Sequence, residues 1–273
     1  MMKWLRRITL ILFTTMLVAF IAFSVLDKLK TDNSIPTISL ELEELEISVK
    51  DKKETLLNGV TAYDEKDGDI TDKVLVESIS KFIEPGIFDV TYAVSDSDNH
   101  VTKKTRRVRY KDYTQPEFYM KRALVYSVDE EVDIRAAVGA RDCIDGDISD
   151  RVTVTATDLV QNTAGVFTVS LQVANSMGHM IYLDVTVHVE GNETMAPEIQ
   201  LEKSLIYIKK GEEPVFEDYI KEVTVNGVLM KNYGLLISTN FDSSKTGTYN
   251  VHYYISTNEG YEGHSILTVV VEE

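Results

Sequence analysis

Gly86-Ile-Phe-Asp-Val-Thr-Tyr-Ala-Val-Ser95, Gly165-Val-Phe-Thr-Val-Ser-Leu-Gln-Val-Ala174 and Gly247-Thr-Tyr-Asn-Val-His-Tyr-Tyr-Ile-Ser256 are one ten-residue phrase written three times, at spacings of 79 and 82 residues. Within each phrase apolar and aromatic residues alternate, as in Phe88, Val90, Tyr92 and Val94. A period of two turns one face of a strand to a core and the other outward. A turn signal follows each phrase, at Asp98-Asn99, Met177-Gly178 or Glu259-Gly260, and then a second β-rich run that reaches Val108, Val187 or Val270. Each unit therefore closes on a hairpin.

A proline opens each unit, at Pro36, Pro116 and Pro197, spaced by 80 and 81 residues. Proline cannot donate to a central ladder, so it suits a linker or a first edge strand. The expected domains are 36–110, 116–190 and a divergent 197–273, joined by the short polar links Lys111–Gln115 and Gly191–Ala196. Links of that kind predict a semi-rigid rod of three beads. After Leu26 the best helical candidate is Phe216-Glu-Asp-Tyr-Ile-Lys-Glu222, one or two turns at most. Many short strands at regular spacing predict an all-β protein of three tandem sandwiches.

Ahead of them lies an apolar run, Ile8–Leu26, interrupted only by Thr9, Thr14, Thr15 and Ser24. It is long enough to cross a hydrocarbon core of about 30 Å as a helix. Lys3, Arg6 and Arg7 precede it, which predicts a cytoplasmic N-terminus (1–7), a transmembrane signal anchor (8–26), a linker (27–35) and an extracellular remainder. The rival is a cleaved signal peptide, but the run is long and its small-residue pair, Ala22 and Ser24, falls inside it. No cysteine follows that would carry a lipid. Cys143 is the only one, which excludes an intrachain disulfide and a cysteine-built zinc site.

A second motif repeats at an offset of 78. Ala62-x-Asp64-x-x-Asp67-Gly-Asp69-Ile-Thr-Asp72-Lys-Val74 is matched by Ala140-x-Asp142-x-x-Asp145-Gly-Asp147-Ile-Ser-Asp150-Arg-Val152. Four carboxylates around a glycine offer hard oxygen ligands, so Asp64, Asp67, Asp69 and Asp72, with Asp142, Asp145, Asp147 and Asp150, form two candidate weak Ca²⁺ sites. The spacing is not that of an EF-hand. The alternative is a turn with left-handed glycine whose acids cap local amides. The third unit keeps Asn226-Gly227 and lacks the carboxylates matching Asp142, Asp147 and Asp150, so the turn is demanded by the fold and most of the acids are not.

The acidic turn followed by the glycine phrase resembles the bacterial immunoglobulin-like modules first named after a pesticidal crystal protein. The likeness covers 36–110 and 116–190 well and 197–273 through its closing hairpin. It implies three tandem immunoglobulin-like domains on a bacterial surface protein, where such modules act as spacers, adhesive domains or glycan-binding accessories.

The formal charge is −16, and without the three basic residues ahead of the apolar run 25 basic face 44 acidic residues, −19. Such a surface repels nucleic acid. Lys103, Lys104, Arg106, Arg107 and Arg109 form a local basic patch, expected either to guard a strand edge or to meet an anionic polymer. Glu41, Glu43, Glu44 and Glu46 read as a solvated strand face. His100 and His179 sit beside hairpin turns, and His188, His252 and His264 lie on strands with no local acid–nucleophile pattern, so no enzyme is expected. Asn192-Glu-Thr194 is a formal glycosylation sequon, expected to be unused. The functional expectation is a membrane-anchored spacer or protein-interaction rod. Its rivals are a binder of cell-wall or capsular glycan, through exposed aromatics such as Tyr233, Tyr254 and Tyr261, and an accessory subunit of a membrane complex.

Overall fold

The structure, a computed structural model, describes residues 2–30, 34–192 and 195–273. The chain forms two compact units, 1–111 and 112–273. The first opens with an α-helix, Met2–Lys30, whose span Arg6–Leu26, none of it buried, is long and apolar enough to cross a membrane. The helix thus runs past Leu26 into the expected linker, of which residues 31–33 lie outside the described residues, as do Glu193 and Thr194 of the sequon.

Each of the three sandwiches has seven strands in a three-stranded and a four-stranded sheet. In the first, Thr37–Leu40 pairs antiparallel with Val60–Asp64, and then Glu44–Ile47 crosses to the other sheet and runs parallel to Val101–Tyr110. The same crossing recurs at Val125–Ser127 and Leu205–Lys209, parallel to the last strands Met180–Glu190 and Glu262–Glu272. The strand after each proline is an edge strand, as its missing N–H requires. Each closing hairpin turns through a left-handed residue, Asn99, Gly178 or Gly260, which Asn and Gly adopt at little cost.

Two expectations change in the first domain. The helical turn expected only at 216–222 is a feature of all three domains: Lys53–Leu57, Ile134–Ala137 and Phe216–Tyr219 each make one turn at the same place. Tyr92 and Tyr253, equivalent core residues, each donate a hydroxyl hydrogen bond to a carbonyl of that turn, at Leu56 and Phe216. The basic patch is also not a patch. Its strand lies between Glu44–Ile47 and Ile87–Ser95 over 107–110, so Arg107 and Arg109 guard no edge, while 101–106 has a strand neighbour on one side only. Arg106 points into the core at 2% exposure and donates to the carbonyls of Leu56 and Asn58 and to the Tyr92 hydroxyl. Lys103, Arg107 and Arg109 are paired with Glu77, Asp89 and Glu44.

The second and third domains are not separate beads. Leu205 joins the second domain's core, with Tyr207 and Val270 packed on it, and the Tyr207 hydroxyl accepts from the Phe118 amide at 3.1 Å. Period two explains the geometry. On Met180–Glu190, Val187 and Val189 face the second core, leaving Thr186, His188 and Glu190 outward. On Gly247–Ser256, Val251, Tyr253 and Ile255 face the third core, leaving Asn250, His252 and Tyr254 outward. These outward faces meet, and Asn250 Nδ2 donates to Thr186 Oγ1 at 2.8 Å. The strand Glu262–Glu272 is consequently buried on both sides over 265–269. Beside it Pro197 approaches so closely that a Cβ on Gly263 would stand 1.9 Å from the Pro197 carbonyl oxygen.

Candidate metal centre

In the acidic turns the carboxylates serve separate partners. Asp64, 2% exposed, accepts the amides of Lys66 and Asp67 on Oδ1 and the Ser34 hydroxyl on Oδ2. Asp67 accepts both the amide and the hydroxyl of Ser97, and Lys73 stands 3.5 Å away. Those bonds, the Ser97 hydroxyl foremost, hold its carboxyl below the usual range. Asp69 accepts the Thr71 amide, and Asp72 is exposed on the 3₁₀ turn Thr71–Lys73. The second domain repeats the scheme. Asp142 accepts the amides of Ile144 and Asp145 and the side-chain amide of Asn175. Asp145 accepts from the Ser176 amide and Arg151; burial pushes its carboxyl up, but the Ser176 bonds and then Arg151 together hold it below the usual range. Asp147 accepts the amide and hydroxyl of Ser149, and Asp150 is exposed on Ser149–Arg151.

Gly68 and Gly146 are left-handed, so each of these hairpins closes by three loop residues and a glycine. In the third domain Asn226 and Gly227 are both left-handed, at φ 51° and 74°, and form a two-residue turn that leaves no room for the acids.

The ligand-type side chains that do converge, among the described residues, are His188, His252 and His264, with one ring nitrogen of each within 4.8 Å of the others. His188 comes from the second domain and the other two from the third. His252 Nδ1 lies 3.1 Å from His264 Nε2, and the two rings are stacked, while His188 stands edge-on to both. Glu190 Oε1 contacts His264 Nδ1 at 2.5 Å. A carboxylate only accepts, so that nitrogen carries the proton, and in the neutral ring Nε2 presents its lone pair toward His252. Tyr254 stacks on His264 with centroids 4.6 Å apart. The expected glycan aromatic is thus taken up in the cluster, whereas Tyr233 and Tyr261 stay exposed.

Burial, reinforced by the neighbouring His264 and His252, pushes the His188 imidazole down to about 4 against the pull of Glu190. Burial and His264 lower His252 likewise, and the His264 hydrogen bond lowers Glu190. At neutral pH His188 and His252 are therefore uncharged. A groove of about 920 Å³ lined by Arg122, Glu190, Pro197 and Tyr254 reaches His264, one member of the cluster.

Sequence spacing did not reveal this group, because its members lie 64 and 12 residues apart. The repeat itself carried a signal. By ladder register His188 stands where the first and third domains have Arg109 and Val270, His252 where the others have Thr91 and Ser170, and His264 where they have Lys103 and Tyr182. The fold does not ask for histidine at any of these positions.

A seven-stranded sandwich whose first strand switches sheets, repeated three times, defines the immunoglobulin-like class. Residues 45–109 match the family model described as bacterial surface protein, Ig-like domain. The resemblance carried by the glycine phrase and the acidic turn is borne out in the first domain, whose residues 45–109 are of the bacterial surface immunoglobulin-like type. It is 23% identical over 223 residues to the pesticidal crystal protein Cry22Aa of Bacillus thuringiensis, an alignment that takes in 77% of this chain and 29% of that protein. The chain thus spans less than a third of that relative's length. Among solved structures, Drosophila N-cadherin EC1-3 overlaps 89% of this chain and 90% of its own at 11% identity and TM-score 0.31. The CBM51-2 and INT domains of Clostridium perfringens ZmpB overlap 52% and 24% at 18% identity and TM-score 0.25.

Proposed function

We propose that the chain is a membrane-tethered surface protein that works by binding and spacing, with immunoglobulin-like modules presented outside the cell and a cytoplasmic N-terminus. The observation that carries this reading is the helix span Arg6–Leu26, none of it buried, ahead of a sandwich of the bacterial surface type. Leaving that many large apolar side chains in water costs on the order of 20 kcal/mol, at roughly 1.5–3 kcal/mol each. A bilayer removes the cost. Arg6, Arg7 and the exposed Trp4 stand at one end of the span, where basic and interfacial aromatic residues favour the cytoplasmic boundary.

Protease shaving of intact cells that express a chain tagged at both ends tests the topology. The C-terminal tag should be lost and the N-terminal tag protected and still joined to the helix. Recovery of a chain that begins near residue 27 would mean a cleaved leader. Retention of the ectodomain on purified cell wall would transfer the role to a glycan binder, and co-migration with one stoichiometric membrane partner to an accessory subunit. The spacer reading expects neither.

A further inference from the structure

We infer that His188, His252 and His264 form a structural site for a borderline divalent transition-metal ion of the zinc class, which ties the second domain to the third. The donor set fits. Imidazole nitrogens suit Zn²⁺, Ni²⁺ and Cu²⁺ and are poor ligands for Ca²⁺ and Mg²⁺, so this site is chemically distinct from the acidic turns. Two nitrogens on one tetrahedral ion, with bonds of about 2.0–2.1 Å, sit about 3.3 Å apart. His252 Nδ1 and His264 Nε2 are at 3.1 Å already. His188 lies within 4.8 Å of both and closes on the ion by a side-chain adjustment.

The outer shell is also in place. A metal-bound histidine donates its other N–H to a carboxylate or carbonyl, which fixes the tautomer, and Glu190 does this for His264. Tyr254 packs flat against the same ring and holds its plane. The groove beside Glu190 reaches the His264 ring, and water takes the fourth position of the ion. Without metal, one proton lies between His252 and His264. On binding, neutral His252 takes its other tautomer, with the proton on Nε2, so that His252 Nδ1 and His264 Nε2 both turn lone pairs to the ion; a proton added to either ring competes with the ion, so uptake is opposed by acid.

Two further observations point the same way. None of the three positions holds histidine in the other two domains, so a requirement of the sandwich does not explain them. Burying three titratable rings in a joint is also costly unless something engages them.

The test uses the full chain in detergent, stripped with chelator and titrated with ZnCl₂ by calorimetry, with Co²⁺ as a spectroscopic probe. One equivalent of Zn²⁺ should bind, and Co²⁺ should give the intense visible bands of a tetrahedral nitrogen-ligated ion. H188Q, H252Q and H264Q should each weaken Zn²⁺ binding at least tenfold, and E190Q by about tenfold. H100Q and H179Q, on hairpin turns, should leave the isotherm unchanged. Far-UV dichroism of each variant in chelator shows whether it folds. The wild-type Co²⁺ spectrum decides the question should a variant not fold. No stoichiometric uptake, no tetrahedral spectrum, or an isotherm unchanged in the H188Q/H252Q double variant overturns the proposal.

Discussion

The last strand of the first domain and the last strand of the second are the same element put to two uses. Val101–Tyr110 turns Lys103, Arg107 and Arg109 outward and neutralises them with Glu77, Asp89 and Glu44 of its own domain. Met180–Glu190 turns Thr186, His188 and Glu190 outward and places them against the third domain. The inward faces show the converse. Arg106 of the first domain has Val185 and Leu267 as its counterparts, so a buried guanidinium stands where the other two cores are purely apolar. A sandwich fixes which residues alternate in and out. What the outward face meets is left to the individual side chains.

The comparison is broken most severely at the joint. G263V forces side-chain carbon into the Pro197 carbonyl, where even a Cβ would stand at 1.9 Å, and should cost 112–273 about 3 kcal/mol or more while the first domain melts unchanged. Calorimetric melting of the full chain resolves the two units. R106L acts on the other side. It leaves the Asn58 carbonyl without its guanidinium donor, keeps the Tyr92 to Leu56 bond, and should cost the first domain about 2 kcal/mol. Adding Y92L, which completes the apolar solution of the second domain, should recover part of that loss, and a double-mutant cycle measures the coupling.

Acid sharpens the contrast in the metal-free chain. His188 titrates at about 4 in the folded protein and near 6.5 in the unfolded chain, so the unfolded state binds more protons between these values. His252 is displaced in the same direction. Stability of 112–273 should therefore fall as pH drops from about 6.5 towards 4, while the first domain, whose lowered carboxylates Asp67, Asp69 and Asp96 lose their contribution only below about 4, holds through that window. Denaturant midpoints at pH 7, 5.5 and 4.5 check the order. The smallest effects belong to the solvated pairs and the acidic turns. E44Q should change first-domain stability by less than about 0.5 kcal/mol. With its acids serving as caps, either turn should melt at the same temperature in millimolar Ca²⁺ as in chelator, and a rise confined to the first two domains would make them calcium loops.

The fold was legible because alternation and turn chemistry are local. The glycine phrase placed three hairpins, and the prolines placed three edge strands. Arg106 was misplaced because a run of five basic residues outweighed its position in the alternation, two residues from the inward Val108. The metal centre was illegible for a different reason. Alternation puts His188, His252 and His264 on outward faces, but whether two outward faces meet depends on Leu205, Tyr207 and Gly263, whose pattern has no period. The sequence comparison that exposes the histidines is the one that tested the acidic turn: their absence from matching positions in the other domains.

The parallel pairing of an early strand with the last strand has a mechanical meaning. A chain held at both ends of such a domain loads the hydrogen bonds between these strands together, in shear, instead of peeling them one by one. The first domain sets four residue pairs in this clamp, the third five and the second three. The weakest clamp therefore lies in the second domain, and its three pairs run from His188 to Glu190. An ion held by His188 and by the third domain would brace the joint at the place where tension reaches the shortest ladder.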